Sequence, residues 1–276
     1  MGIIYEPKNI DNLVFTIDWW EIEKEDTIGL FGEDNILLSD LVLRMETNNI
    51  SDCSLVQSNP YVFRDSLEEN EIQEYLQAGI CPAGRVTRVE EQYRNLDTRI
   101  ISGFDFSARY FVNSDYGNFN FIVNISKLEK FRQKAGNDFI ELIDAQEKGI
   151  IPEELAITGF SDLIEKDGSP KIQANFKFLW NRGSWGLGLF GRHIGEFYET
   201  RNKLSDGRLW KVKAYNTINT FIDYNFKISG SQSNLRFGIN NIADERAPLA
   251  SDIFGYYIDK HDNLGRSYYI NFIHRY

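Results

Sequence analysis

The side chains able to do chemistry in this chain are few and scattered. His193, His261 and His274 are the only histidines, and none belongs to a His-Glu-x-x-His pair on one helix face, the arrangement a zinc hydrolase needs. No Gly-x-Ser-x-Gly segment is present to raise a serine nucleophile on a strained turn. Cys53 and Cys81 have neither a Cys-x-x-Cys spacing nor a neighbouring histidine, so the pair does not read as a metal site. The acidic run DSLEENEIQEY is the solvated face of a helix, with no chemistry assigned. No catalytic residue, metal ligand or cofactor is expected.

The elements that would position any site are strands. The 276 residues carry 30 Lys+Arg against 41 Asp+Glu, a net charge of −11, which argues against nucleic-acid binding because phosphate neutralisation needs a clustered basic surface. No run of eighteen apolar residues is present, which removes a transmembrane helix but not a transmembrane β-barrel, whose strands need only about ten alternating residues. MGIIYEPKNIDN lacks the charged and apolar regions of a secretory signal. Twenty Phe, 14 Tyr and 5 Trp suit strands better than helices.

Strict alternation recurs along the chain. In KIQANFKFLW, Ile172, Ala174, Phe176, Phe178 and Trp180 share one face, while Lys171, Gln173, Asn175 and Lys177 share the other. After the turn NRGS, Trp185, Leu187 and Leu189 oppose Gly186, Gly188 and Arg192, which predicts a hairpin. GFDFSARYF and NFNFIVNIS form a second such pair around Ser114–Gly117. TINTFIDYNF turns through SGSQS into NLRFGIN, and SYYINFIHRY ends the chain. NLVFTIDWWEIE supplies Leu13, Phe15, Ile17 and Trp19. About eight strands result, with tight turns at one end and long connections at the other, roughly 25–97, 131–169, 199–213 and 242–265.

Alternation of this kind is common in soluble sandwiches. Two features favour a membrane barrel: aromatics at strand ends (Trp19, Trp180, Trp185, Tyr276) and polar, charged or glycine residues on the opposite faces. The long connections hold helical spacings, in NILLSDLVLRM with Ser39 as a possible cap, and in NDFIELIDAQEKG with Gly149 as a stop.

The C-terminal segment LRFGINNIADERAP, followed by a loop and GRSYYINFIHRY, resembles the final hairpin of TonB-dependent outer-membrane receptors. The Asn-Asn-apolar-apolar-Asp element is matched by Asn240, Asn241, Ile242, Ala243 and Asp244, the loop proline by Pro248, and the returning Gly-Arg by Gly265 and Arg266. NLVFTIDWWEIEKEDTI is similar to the family's Asp-aromatic strand through Asp18, Trp19, Trp20, Glu21, Asp26 and Ile28. RIISGFDFSARY is similar to its Gly-apolar-Asp strand through Ser102, Gly103, Phe104, Asp105 and Phe106. SPKIQANFKFLWNRGSW matches at Pro170, Trp180, Gly183 and Trp185. One departure is His274, third from the end, where a bulkier apolar residue is usual.

The resemblance implies an all-β fold: an antiparallel transmembrane β-barrel segment, about eight strands of a larger barrel, with long extracellular loops containing short helices. A complete barrel of this kind has about 22 strands, so residues 1–276 are expected to be the C-terminal part, with the plug domain and N-terminal strands absent. The expected place is the bacterial outer membrane, and the expected role is uptake of a scarce ligand such as a siderophore or an oligosaccharide. The implied partners are outer-membrane lipid and lipopolysaccharide, the missing plug and barrel portion, TonB acting through the plug, and a small-molecule ligand, with no nucleic acid.

Ile270, Phe272 and the terminal aromatic Tyr276 match the family's barrel-assembly signal. Loop aromatics Trp210, Tyr256 and Tyr257 are the candidate ligand contacts, with loop packing as the other reading. In a loop that has passed through an oxidising periplasm, Cys53 and Cys81 are expected to pair, rather than remain two unrelated buried thiols. Two other architectures remain open: a self-contained eight-stranded barrel, and a soluble β-sandwich binding module.

Overall fold

The computed structural model describes residues 1–275, except the side chains at 202 and 203. Along the chain come β1 (Gly2–Tyr5), β2 (Leu13–Lys24), β3 (Ile28–Leu30), α1 (Glu33–Glu46), β4 (Val62–Arg64), α2 (Glu69–Gln77), β5 (Val86–Val89), β6 (Tyr93–Asn95), β7 (Arg99–Ser114) and β8 (Gly117–Gln133). After α3 (Asn137–Glu147) follow β9 (Ser161–Asp162), β10 (Ile172–Arg182), β11 (Trp185–Ile194), β12 (Phe197–Lys203), β13 (Leu209–Val212), β14 (Tyr215–Ile228), β15 (Ser231–Asn240) and β16 (Ser267–His274).

The chain divides into two units. The first, residues 1–22, 101–131 and 164–276, is built on an antiparallel sheet in the order β1-β2-β7-β8-β10-β11-β14-β15-β16. The neighbours are consecutive hairpins, and β1 and β16 end the path without pairing to each other. Gly2–Tyr5 pairs with Phe15–Asp18, adding a ninth long-sheet strand to the eight legible from alternation. At the turn after β14, Ser229 and Gly230 both have positive φ (49° and 86°), the type I′ geometry that matches strand twist.

Register keeps like with like. Phe178 pairs with Phe121 and Leu189, Ile222 with Leu187 and Phe237, and Leu235 with Phe272 and Tyr224. Ladders of this kind place all the apolar side chains on one face. That face is uncovered: Phe176 is 38% exposed, Leu235 44%, Phe272 56% and Ile270 73%. A sandwich would bury these residues against a second sheet. Among the described residues the other sheets are two-stranded ribbons, and no core forms on the apolar side of the long strands.

The second unit, residues 23–100 and 132–163, has its own core. Phe31, Ile36, Leu38, Val62, Leu96, Phe139, Leu142, Ala145 and Ile151 form one buried cluster, with the Phe31 and Phe139 rings 4.8 Å apart. The helix in NILLSDLVLRM begins at Glu33, so Ser39 lies in its interior and does not cap it; Gly32 stands at the cap instead. Gly149, with φ 76°, follows α3 and donates to the Gln146 carbonyl at 3.0 Å, ending that helix as its sequence implies. The acidic run forms α2, which has no buried residue.

Candidate functional site

The polar face of the long sheet is the first candidate surface. Alternation puts Asp105, Asn124, Asn175 and Arg192 on neighbouring strands, and they line a recess of about 620 Å³ together with Asp18 and Gln173. Asn124 donates to Asn175 at 2.9 Å, directly across the β8–β10 ladder, and Ser126 donates to Asp105. Asn234 likewise donates to Asn225 at 2.9 Å between β15 and β14. These bonds hold amide groups flat along the wall, leaving spare donors and acceptors for water or a ligand.

Glycine controls how closely side chains lie on this face. A Cβ at Gly188 would stand 2.3 Å from the Phe221 ring, and one at Gly186 would stand 2.1 Å from the Asp223 carboxylate. Both rows of the ladder therefore close over bare backbone. Arg236 completes the group, pairing with Asp223 at 2.7 Å and lying 3.7 Å from the centre of the Phe221 ring.

The second candidate is the pair of loops following β11 and β15. The ribbon β12–β13 carries Phe197 and Val212, both fully buried, and Trp210 opposite Glu199. Several contacts tie this ribbon to the loop 241–266. The Trp210 indole donates to the Leu249 carbonyl at 2.9 Å, Ser251 N–H donates to the buried Glu199 carboxylate at 2.8 Å, and Tyr257 meets Phe197 edge-on at 4.9 Å. Trp210 is 37% exposed, and Tyr256 and Tyr257 are half-buried. Burial raises the Tyr257 phenol well above its ordinary pKa, reinforced by the nearby Glu199, Asp167 and Asp252. This phenol stays protonated at neutral pH.

Sequence reasoning gave His261 no role, yet it is central to this cluster. Its ring is parallel to Phe197 at 6.0 Å and meets Tyr215 edge-on at 5.3 Å. The residue is 4% exposed and neither ring nitrogen has a hydrogen-bond partner. Burial, then the charges of Arg192 and Lys260, lower its pKa to about 4. No local pattern marks such a residue, because its neighbours come from three distant segments.

The remaining sequence-predicted residues fall elsewhere. Ile270 and Phe272 point outward from the edge strand β16, while Tyr276 lies outside the described residues. Cys53 and Cys81 form a disulfide in the second unit, with Cα atoms 5.5 Å apart. Among the described residues, no three His, Cys, Asp or Glu side chains group to hold a metal ion, and no helix is long and apolar enough to cross a membrane, which says nothing of strands.

Comparison with known proteins bears directly on the strand pattern. The model of the family described as TonB dependent receptor-like, β-barrel matches residues 2–242. The siderophore receptor PirA from Acinetobacter baumannii is 16% identical, with a TM-score of 0.50 over 98% of this chain and 30% of its own. A mutant of the ferric enterobactin receptor PfeA from Pseudomonas aeruginosa is 13% identical, with a TM-score of 0.50 over 98% of this chain and 29% of its own. At these identities the likeness is one of fold, and the chain spans about 30% of the length of these solved receptors. Among curated proteins, none matches the sequence. An antiparallel sheet of hairpins with one uncovered apolar face, together with a family match over residues 2–242, shows that the chain belongs to the TonB-dependent receptor-like β-barrel family.

Proposed function

We propose that this chain forms part of the wall of an outer-membrane receptor that takes up a scarce small ligand with energy delivered by TonB. One observation carries the reading: the apolar side chains of the long strands are exposed, in register and continuous across the sheet. Soluble proteins do not leave such a face in water, whereas a barrel wall presents it to acyl chains.

The opposite face, with its amide ladders and its recess beside Arg192, lines the lumen. The loops after β11 and β15 face the exterior, and Trp210, Tyr256 and Tyr257 supply ligand contacts there. The chain acts by binding and guiding, with no bond-making step assigned to its residues. Residues 1–276 serve as the C-terminal part of the barrel. The plug, the other strands and TonB belong to the rest of the receptor, and lipid and lipopolysaccharide surround the outer face.

The free edges of β1 and β16 support this division, since unpaired strand edges are not stable in hydrocarbon. The test is co-expression of the chain with the plug and N-terminal strands of such a receptor in outer membranes. The reading expects heat-modifiable migration and ligand uptake only when both parts are present. Heat-modifiable migration by the chain alone would support a self-closed small barrel instead.

A further inference from the structure

The second unit carries the chain's negative charge. Residues 23–100 and 132–163 hold 23 acidic and 10 basic side chains, a net of −13, against −11 for the whole chain. The other unit is therefore slightly positive.

Within this acidic unit, β3 and β6 form a two-stranded ribbon with Ile28 opposite Asn95, Gly29 opposite Arg94 and Leu30 opposite Tyr93. Its inner face is occupied. Gly29 sits against Leu96, and Arg94 lies 5.3 Å from the Phe31 ring and pairs with Asp138 at 3.0 Å. Its outer face is exposed: Ile28 is 67% exposed, Leu30 49% and Tyr93 75%. Acidic residues flank both strands in the chain, among them Glu25, Asp26, Glu90 and Glu91, and Glu90 pairs with Arg88 at 3.0 Å. Asp26 and Glu91 spend their charge on neutral donors, the Asn95 amide and the Gly32 N–H, so it is not cancelled there.

We propose that the Ile28–Leu30–Tyr93 face is a docking surface for an extended cationic peptide segment whose basic residues alternate with apolar ones. Alternation places apolar side chains every second residue, the spacing at which Ile28 and Leu30 themselves stand. The basic residues then face the Asp26 and Glu91 carboxylates, whose field within the acidic unit raises both the rate of encounter and the selectivity for positive partners. The proposal does not depend on which ligand the barrel carries.

The test uses the chain assembled with the plug and N-terminal strands and purified in a neutral detergent, and a fluorescein-labelled Lys-Leu-Lys-Leu-Lys-Leu peptide, read by anisotropy. Leu30→Ser combined with Tyr93→Ser should weaken binding about tenfold or more. Raising NaCl from about 0.05 to about 0.5 M should weaken it comparably. Tyr116→Ser, altering a tyrosine that is 74% exposed in the other unit, should leave binding unchanged. Both strand residues point to solvent, so the double variant should keep its circular dichroism spectrum. The proposal is overturned if the double variant binds as tightly as the parent, if Lys-Ser-Lys-Ser-Lys-Ser binds equally well, or if Tyr116→Ser weakens binding to the same extent.

Discussion

Asp223 and Arg236 stand opposite each other in the β14–β15 ladder, joined by a 2.7 Å ion pair on the polar face of the sheet. The Asp223 carboxylate lies over Gly186, and the guanidinium over Phe221, whose ring in turn covers Gly188. Two strands and two glycines are thus closed by one charged pair. Replacing Arg236 with Ala leaves a largely buried carboxylate without its partner, at a cost of about 1–3 kcal/mol. Arg236→Lys should cost less, because the charge stays and only the planar stacking is lost. The midpoint of thermal unfolding of the assembled receptor in detergent, compared across the two variants, checks the order.

Gly188→Val drives a branched side chain into the Phe221 ring, since even a Cβ would stand 2.3 Å from it. The ring can escape only by leaving Arg236. Assembly yield should fall for Gly188→Val alone and recover in part when Phe221→Ala is added, a coupling visible in a double-mutant cycle.

Reduction of the Cys53–Cys81 disulfide releases a loop of 28 residues. In the chain-entropy account this removes about 3–4 kcal/mol from the unit that contains it. Protease cleavage between residues 49 and 85 should rise sharply under reductant, while the long strands remain protected.

Phe139 is 1% exposed and touches both Phe31 and Phe160. Phe139→Ala should cost about 3–5 kcal/mol and be felt in hydrogen exchange of α1 and α3. The β10–β11 and β14–β15 ladders share no part of that core, so their exchange should be unchanged.

His261 is buried as a neutral ring, with its pKa lowered from 6.5 to about 4 by desolvation and by the charges of Arg192 and Lys260. Between those two values the unfolded chain binds a proton that the folded chain refuses, so stability rises with pH across this window. The contribution is complete above about 6.5 and is lost as pH falls toward 4. Proteolysis of the loop 241–266 should therefore accelerate on acidification over that range. His261→Phe, which keeps the stacking on Phe197, should flatten the dependence.

The strands were legible because their signal is local. Phe176 beside Asn175, or Leu235 beside Asn234, declares two faces within adjacent residues, and register follows once one face must be kept uniform. The short strand Gly2–Tyr5, which pairs with β2, is not legible from alternation, since four residues carry too little of it to count. Ser39 misled as a cap because the true start at Glu33 follows a glycine, which offers no side-chain signal. The shared core of Phe31 and Phe139, and the aromatic contacts around His261, join segments from separate connections, and no window along the chain contains them.

The central claim is that Phe176 and Leu235 meet acyl chains while Asn175 and Asn234 meet water. Nitroxide labels on single cysteines at these four positions, in the chain assembled with the plug and N-terminal strands in lipid vesicles and with the native disulfide intact, report collisions with dissolved oxygen and with a water-soluble nickel chelate. Collision should be oxygen-dominated at 176 and 235, and nickel-dominated at 175 and 234. Protection of 176 and 235 from both quenchers would mean a dry protein interior on the apolar face, and the strands would then not be a membrane wall.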